Sequence, residues 1–501
     1  ARLVNVLEIS PEFDRKVAEY RAEFAGNLTF KGTLTGNFSD PTIDGRAALD
    51  SISLRGRELG SLSTGIFVSP LGTELRRGLL QEPAGGGTLT FDVTIPSGGT
   101  NNITVQATLN NINTGNLLAA LPIEGYVPEH FRDFQAQTSG RIDLSGLPGD
   151  MQGEAELTSG AGTLNGQPFD GFDSRVSFAG TLVNVERFNA KFGAGTLEAT
   201  GTYDTASSVF DFDVTGQNID LVRVRPFIPN SQNLPDLSST IDLKAGAVGD
   251  ADDPATFNIN FSGGGRNVFF NNRSLGEITF NGNTENQRLN ANITANFDEQ
   301  PQSVVATVNF ADPNLPFEAE TVFDNTNLAP FIALADLPGT VAITGTATGR
   351  VYLRGNLSTE NPDGTRSFTT ENLSGAAEFS QFALQIDETP LAASEPVSIK
   401  FNTREITIES ARFSGGGSNL TIAGTKALTD DGTNNLAIDG AVNLRILNAI
   451  SPNAFFSGIS NVSVRLTGPN ATARLNGAAD FQNASISAFV GSERVSFQRV
   501  Q

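Results

Sequence analysis

The chain has 501 residues, 38% hydrophobic and 18% charged, with 52 Gly and 23 Pro; this excludes a disordered acidic chain and fits a folded, turn-rich one. Its 55 acidic and 33 basic residues give a net charge of −22, which repels phosphate backbones, excludes nucleic acid as the main partner and argues against peripheral contact with anionic lipid surface. With no cysteine, disulfides, zinc–cysteine sites and thiol catalysis are excluded too.

From the N-terminus, "NVLEISP" around Leu7 reads as a first anchor, a short apolar turn that then stops. Ser10-Pro11 opens the best helical candidate, with Phe13, Val17, Tyr20 and Phe24 on one face. "GTLTG" and "GRAAL" (Gly45 to Leu49) follow, then "LRRGLL" (Leu75 to Leu80), read as two solvated arginines in a loop. "TLTFDVTIP" is the first clean strand: Leu89, Phe91, Val93 and Ile95 alternate with Thr90, Asp92 and Thr94, so they share one face.

An anchor then recurs about every hundred residues: "TGNLLAAL" at Leu117, "NIDLVRV" at Leu221, "NTNLAPFI" at Leu328 and "VNLRILNAI" at Leu444. Pro122, Pro229 and Pro452 follow three of them, which predicts one or two helical turns that break off. A matching strand comes next: "RIDLSG" (Ile142, Leu144), "TIDLKAG" (Ile241, Leu243), "RVYLRG" (Val351, Leu353) and "SVRLTG" (Val464, Leu466). A third element, "GEAEL", "GAAEF" or "GAADF", completes the unit; the copy after Asp220 has "ATFNINF" instead. The chain therefore reads as one elongated repeat array over 1–501, with copies at 6–115, 116–219, 220–326 and 327–442 and a partial copy at 443–501. At one strand per 8 to 12 residues, each copy would hold about ten strands.

Between the anchors the alternation persists. Phe210, Phe212 and Val214 oppose Asp211, Asp213 and Thr215; Phe257, Ile259 and Phe261 oppose asparagines; so do Ile293 and Phe297. Val304, Val308 and Phe310 share a face in "VVATVNF". "SGAGTLNG" and "FGAGTLEATG" read as turns between strands, as do the acid-rich "GDADDP" and "TDDGTNN"; residues 360–366 read as a loop.

No chemistry beyond packing emerges. His130 is the single histidine and has no nucleophile elbow near it, the Gly-rich strings lack a phosphate-loop lysine, and the acidic strings match no EF-hand. The chain reads as a non-enzyme without cofactor or metal. No apolar run approaches the ~20 residues of a membrane helix. The aromatics are 36 Phe and 4 Tyr with no Trp, which supplies purely apolar surface but no interfacial girdle and argues against a transmembrane barrel. Two arrangements can hide such strands: sheets paired as sandwiches, or one long sheet whose greasy side lines a groove. Periodicity alone favours a sandwich array.

The rhythm of short apolar turn, G-x-hydrophobic-x-L-x-G and G-x-A-x-[LF] resembles the AsmA-like/TamB family over nearly the whole chain. Residues 32 to 62, "GTLTGNFSDPTIDGRAALDSISLRGRELGSL", carry the likeness best. The family's membrane anchor and C-terminal segment have no counterpart here, so the chain reads as a segment of a longer protein. The resemblance implies an all-β fold: a long continuous antiparallel, twisted sheet curled into an open groove, with a few short helices. It implies a periplasmic bridge, anchored to the envelope by other segments, that carries phospholipid between the inner and outer membranes of a diderm bacterium, with an outer-membrane β-barrel protein as a further partner. The acyl chains would lie on the face of Leu89, Phe91, Val93, Ile95, Phe210, Phe212, Val214, Phe257, Ile259, Phe261, Ile293, Phe297, Val304, Val308, Phe310, Val464 and Leu466. The competing expectation is a repetitive β-sandwich adhesin or scaffold with a dry core.

Overall fold

A computed structural model describes residues 23–500, apart from 38–40, 84–85, 98–101, 121–132, 148–149, 165, 226–235, 271–272, 298–299, 335–342, 362–365, 370–371, 387, 450–453 and 491–492. The lone His130 lies outside the described residues, as does the helix expected after Ser10 except for its last positions, Glu23 and Phe24, which open the strand Glu23–Gly36 instead. The chain divides into two compact units, Ala1–Ser231 with Thr240–Asp253, and Gln232–Ser239 with Pro254–Gln501.

The fold is all-β. Of 31 described strands, 29 belong to one antiparallel sheet; Ser358–Glu360 and Arg366–Phe368 pair separately as a hairpin in the stretch read as a loop. The sandwich array favoured by periodicity is thus not what forms: 29 of the described strands run in one sheet, and the other described sheet is that single two-stranded hairpin. Within the first unit, strands from Glu23–Gly36 onward pair mostly with their sequence neighbours, the hairpin ladder of an antiparallel meander. The second unit repeats this from Asp253–Phe270 onward.

All four anchors from Leu117 onward are helical as expected: Thr114–Ala120, Leu221–Val224, Ala329–Leu334 and the 3₁₀ turn Leu444–Ala449. Between successive anchors lie seven, six and nine described strands rather than ten. The difference is physical. Strands run to 18 residues, as in Asp253–Phe270, and glycines that look like turn markers, Gly263 to Gly265 among them, sit inside strands. "SGAGTLNG" likewise continues the strand Met151–Leu164 instead of breaking it.

One device ends three of the four copies. Asn111, Asn218 and Asn325 take left-handed backbone, with φ of 53°, 51° and 48°, a region that asparagine tolerates. Each sits at a bulge in its strand pairing. The bulged N–H has lost its ladder partner, and a side chain on the next strand takes it: Ser139 Oγ at 2.8 Å, Asp242 Oδ1 at 2.8 Å and Thr348 Oγ1 at 3.0 Å. Two residues on, a cap accepts the first free amides of the helical turn. Asn113, Asp220, Asn327 and Asn443 each accept one backbone N–H at 3.0–3.1 Å.

Turns of four to seven residues are too short to persist alone, so the caps and the contact with the sheet hold them. Asn113→Ala is expected to lower stability by about 1 kcal/mol, read as a shift of the urea midpoint with an unchanged m-value.

Candidate functional site: an uncharged β-face

Residues directly opposite in an antiparallel ladder share a face, so the register traces each side of the sheet. In the first unit the side carrying Phe91 runs through Ala107, Ile142, Ala155, Val176, Val185, Gly201 and Phe212 to Ala247. From Leu28 to Gly249, ladder positions on this side away from the hairpin tips carry no charged side chain. The other side holds the charge. Arg175 meets Glu154 at 2.7 Å and Glu186 at 3.1 Å, and Arg187 meets Asp173 at 2.6 Å and Glu156 at 3.3 Å. The hydrogen bond that Arg175 donates to Glu154 raises the Arg175 pKa above its ordinary value, as the bond to Glu378 does for Arg350 in the second unit.

The second unit has the same two sides. Phe261, Gly282 and Ala291 continue to Ala306, Ala319, Leu353, Gly375 and Phe401. Ile422, Ile438, Val464 and Gly477 follow further on. Among the described ladder positions on this side away from the hairpin tips, Lys426 is the charged exception; its Nζ donates to the Ala427 carbonyl and to Asn470 Oδ1.

Phenylalanine on this face has a recurrent partner. Phe91 stands opposite Gly78, Phe212 opposite Gly201, Phe261 opposite Gly282, Phe379 opposite Gly349 and Phe401 opposite Gly375. A Cβ at any of these glycines would lie under 3.0 Å from the facing ring. Each ring therefore lies flat over bare backbone, covering the glycine from water. The lining is aromatic but low in profile.

The expected lining residues take the following places. Leu89, Phe91 and Val93 are half-buried and Ile95 is 41% exposed. Phe210, Phe212 and Val214 share the face by register and are half-buried. Phe257, Ile259 and Phe261 alternate with exposed Thr256, Asn258 and Asn260. Ile293, 40% exposed, stands opposite Val304, and Leu289 opposite Val308. Val464 and Leu466 are half-buried opposite Ile438 and Leu436. Phe297 closes its strand opposite Gln300, and its side chain lies outside those described. Phe310 differs from the expected alternation: it falls in the turn after Gln300–Asn309, 6% exposed, edge-on to Phe257 at 5.6 Å. It packs rather than lines. "LRRGLL" also differs, since it lies inside the strand Gly72–Gln81; Arg76 bonds Glu74 at 2.7 Å and lies over the Phe67 ring at 4.3 Å.

Asp211 and Asp213 stand on the opposite side, exposed, facing Thr202 and Thr200. Their joint replacement by Asn is expected to change stability by no more than about 0.5 kcal/mol each and to leave lipid co-purification unchanged. A thermal melt and a phospholipid assay of the pure variant check both.

Burial on the face is graded. Near the turn Thr114–Ala120, Leu109, Ile112 and Ala120 are 6%, 1% and 0% exposed and form a sealed cluster with Leu59 and Leu80. In the second unit, Phe323, Phe379 and Phe413 anchor a similar cluster, closed by Phe331 from the turn Ala329–Leu334 at 5.3 Å from Phe323. Away from these turns the face is half-open.

The second turn, Leu221–Val224, instead overhangs a cavity of about 520 Å³. Its wall is Phe134, Phe169, Phe172 and Phe188, with ring centroids 5.7–6.2 Å apart, and every lining residue is apolar or glycine. Sequence reasoning missed this group, because Ser174 and Ser177 blur the alternation around Phe172 and Phe178. The recoverable signal is "FDGFDSRVSF", three phenylalanines in ten residues. Compared with protein-family models, curated proteins and solved structures, the chain matches none.

Proposed function

We propose that this chain is a lipid-carrying segment of a bridge-like envelope protein of the AsmA-like kind, whose apolar β-face takes up acyl chains and passes phospholipid between two membranes. The observation that carries the reading is the one-sided sheet. An uncharged, half-open aromatic and aliphatic face runs through strand after strand, while the charge lies on the other side. Monomeric soluble proteins rarely leave contiguous apolar surface of this extent to water. A hydrocarbon chain is the natural cover, since each buried CH₂ contributes about 0.8 kcal/mol without asking for a hydrogen bond. A dry-core scaffold is favoured by one feature, the sealed cluster around Phe379 and Phe413. Lipid extraction from purified protein separates the two: the carrier yields stoichiometric phospholipid and the scaffold yields none.

A further inference from the structure

The helical turn Leu221–Val224 is set apart from its counterparts. Ala120 and Phe331 close the space beneath theirs, whereas here the fold leaves an empty, wholly apolar volume of about 520 Å³. A gap of this kind is therefore no by-product of the repeat. No lining residue offers a charge or a polar side chain, so headgroups and sugars would find no partner here and a hydrocarbon guest fits.

Besides the Arg225 N–H, which donates to the Leu221 carbonyl, two contacts made by side chains hold the turn. Asp220 Oδ1 accepts the Val222 N–H at 3.0 Å, and Arg223 Nη1 bonds Asp170 Oδ2 at 3.4 Å. Asp170 Oδ2 also accepts the Gly193 N–H. Gly193 is in left-handed conformation at φ 66°, and a Cβ there would stand 3.0 Å from the Arg223 guanidinium, so the arginine lies across a bare glycine. Arg223 and Asp170 side chains are 45% and 51% exposed. An exposed pair is a weak fastener, and a four-residue helix has no stability of its own.

We infer that this space is a pocket for a single acyl chain, and that the turn Leu221–Val224 is its latch, fastened by Arg223 and Asp170. The inference rests on the lipid-carrier reading and goes beyond it. The face would not be uniform: it would hold one discrete resting place, where the tail is released when the Arg223–Asp170 contact opens.

The test uses the full chain and a diazirine-bearing palmitate, photolysed and mapped by peptide mass spectrometry. Labelling is expected on the peptides holding Phe188 and Leu221. Gly216→Leu fills the pocket from its floor, where a Cβ meets only Ile219 at 3.0 Å and Leu197. Displacing two CH₂ groups of the guest corresponds to about tenfold less labelling. Leu221→Asp, on the turn and outside the sheet, gives the same loss if Gly216→Leu fails to fold. Arg223→Ala retains labelling but exchanges bound palmitate faster. Unchanged labelling in both pocket variants overturns the pocket, and unchanged exchange in Arg223→Ala overturns the latch. Label elsewhere on the face but not here overturns this inference and leaves the carrier reading standing. A folded protein with no label anywhere overturns both.

Discussion

Phe212→Asp is expected to lower the phospholipid bound to the protein while leaving its sheet intact. The ring lies flat over Gly201 on the uncharged side, with Ala247 opposite on the next strand. Backbone pairing there is independent of the side chain, so the ladder from Thr196–Gln217 to Tyr203–Phe210 has no reason to slip. A carboxylate among acyl chains is another matter: placing Asp in hydrocarbon costs about 3 kcal/mol, or roughly a hundredfold in occupancy. Lipid phosphorus per mole of purified protein should therefore fall by the share that lies along the face at Phe212, with an unchanged far-ultraviolet circular dichroism spectrum. Phe212→Leu, which keeps the face apolar, should retain most of the lipid.

Ile112→Ala is expected to be among the most destabilising single changes. Ile112 is 1% exposed and meets Leu59, Leu80, Leu109 and Ala120 where the first described helical turn closes the apolar face. It sits between the left-handed Asn111 and the cap Asn113, so its side chain pins the bulge and the turn together. Removing three buried carbons from a filled site costs about 2–5 kcal/mol. The urea midpoint of the first unit should drop accordingly. The contrast with Phe212→Asp is informative: one change removes stability with the lipid-facing surface intact, the other lowers bound lipid with stability intact.

Much of this architecture is legible in the sequence because it rests on short-range rules. Period-two alternation fixes which side of "VFDFDVTG" is apolar, and no tertiary contact can move Phe212 to the side of Asp213 without slipping a register. The anchors at Leu117, Leu221, Leu328 and Leu444 are legible because capping residues precede short apolar runs. What stays hidden is set by cross-strand partners. Gly78, Gly201 and Gly282 read as turn signals, yet each is a seat for a phenylalanine on the neighbouring strand, and only the register shows which. Ser139, Asp242 and Thr348 look like ordinary outward polar residues, and their bonds to the bulged asparagines come from residues 23 to 28 positions away. The pocket is hidden for the same reason: Phe134, Phe169, Phe172 and Phe188 come from four different strands.

The central claim is that the uncharged face carries acyl chains, and native mass spectrometry of the purified chain with extraction of its bound lipid tests it most directly. The account predicts adducts of phospholipid mass on the folded protein, present in the wild type and in the Asp211→Asn, Asp213→Asn double variant, and reduced in Phe212→Asp. A folded, lipid-free wild-type protein, purified without detergent from a phospholipid-replete membrane extract, would contradict it.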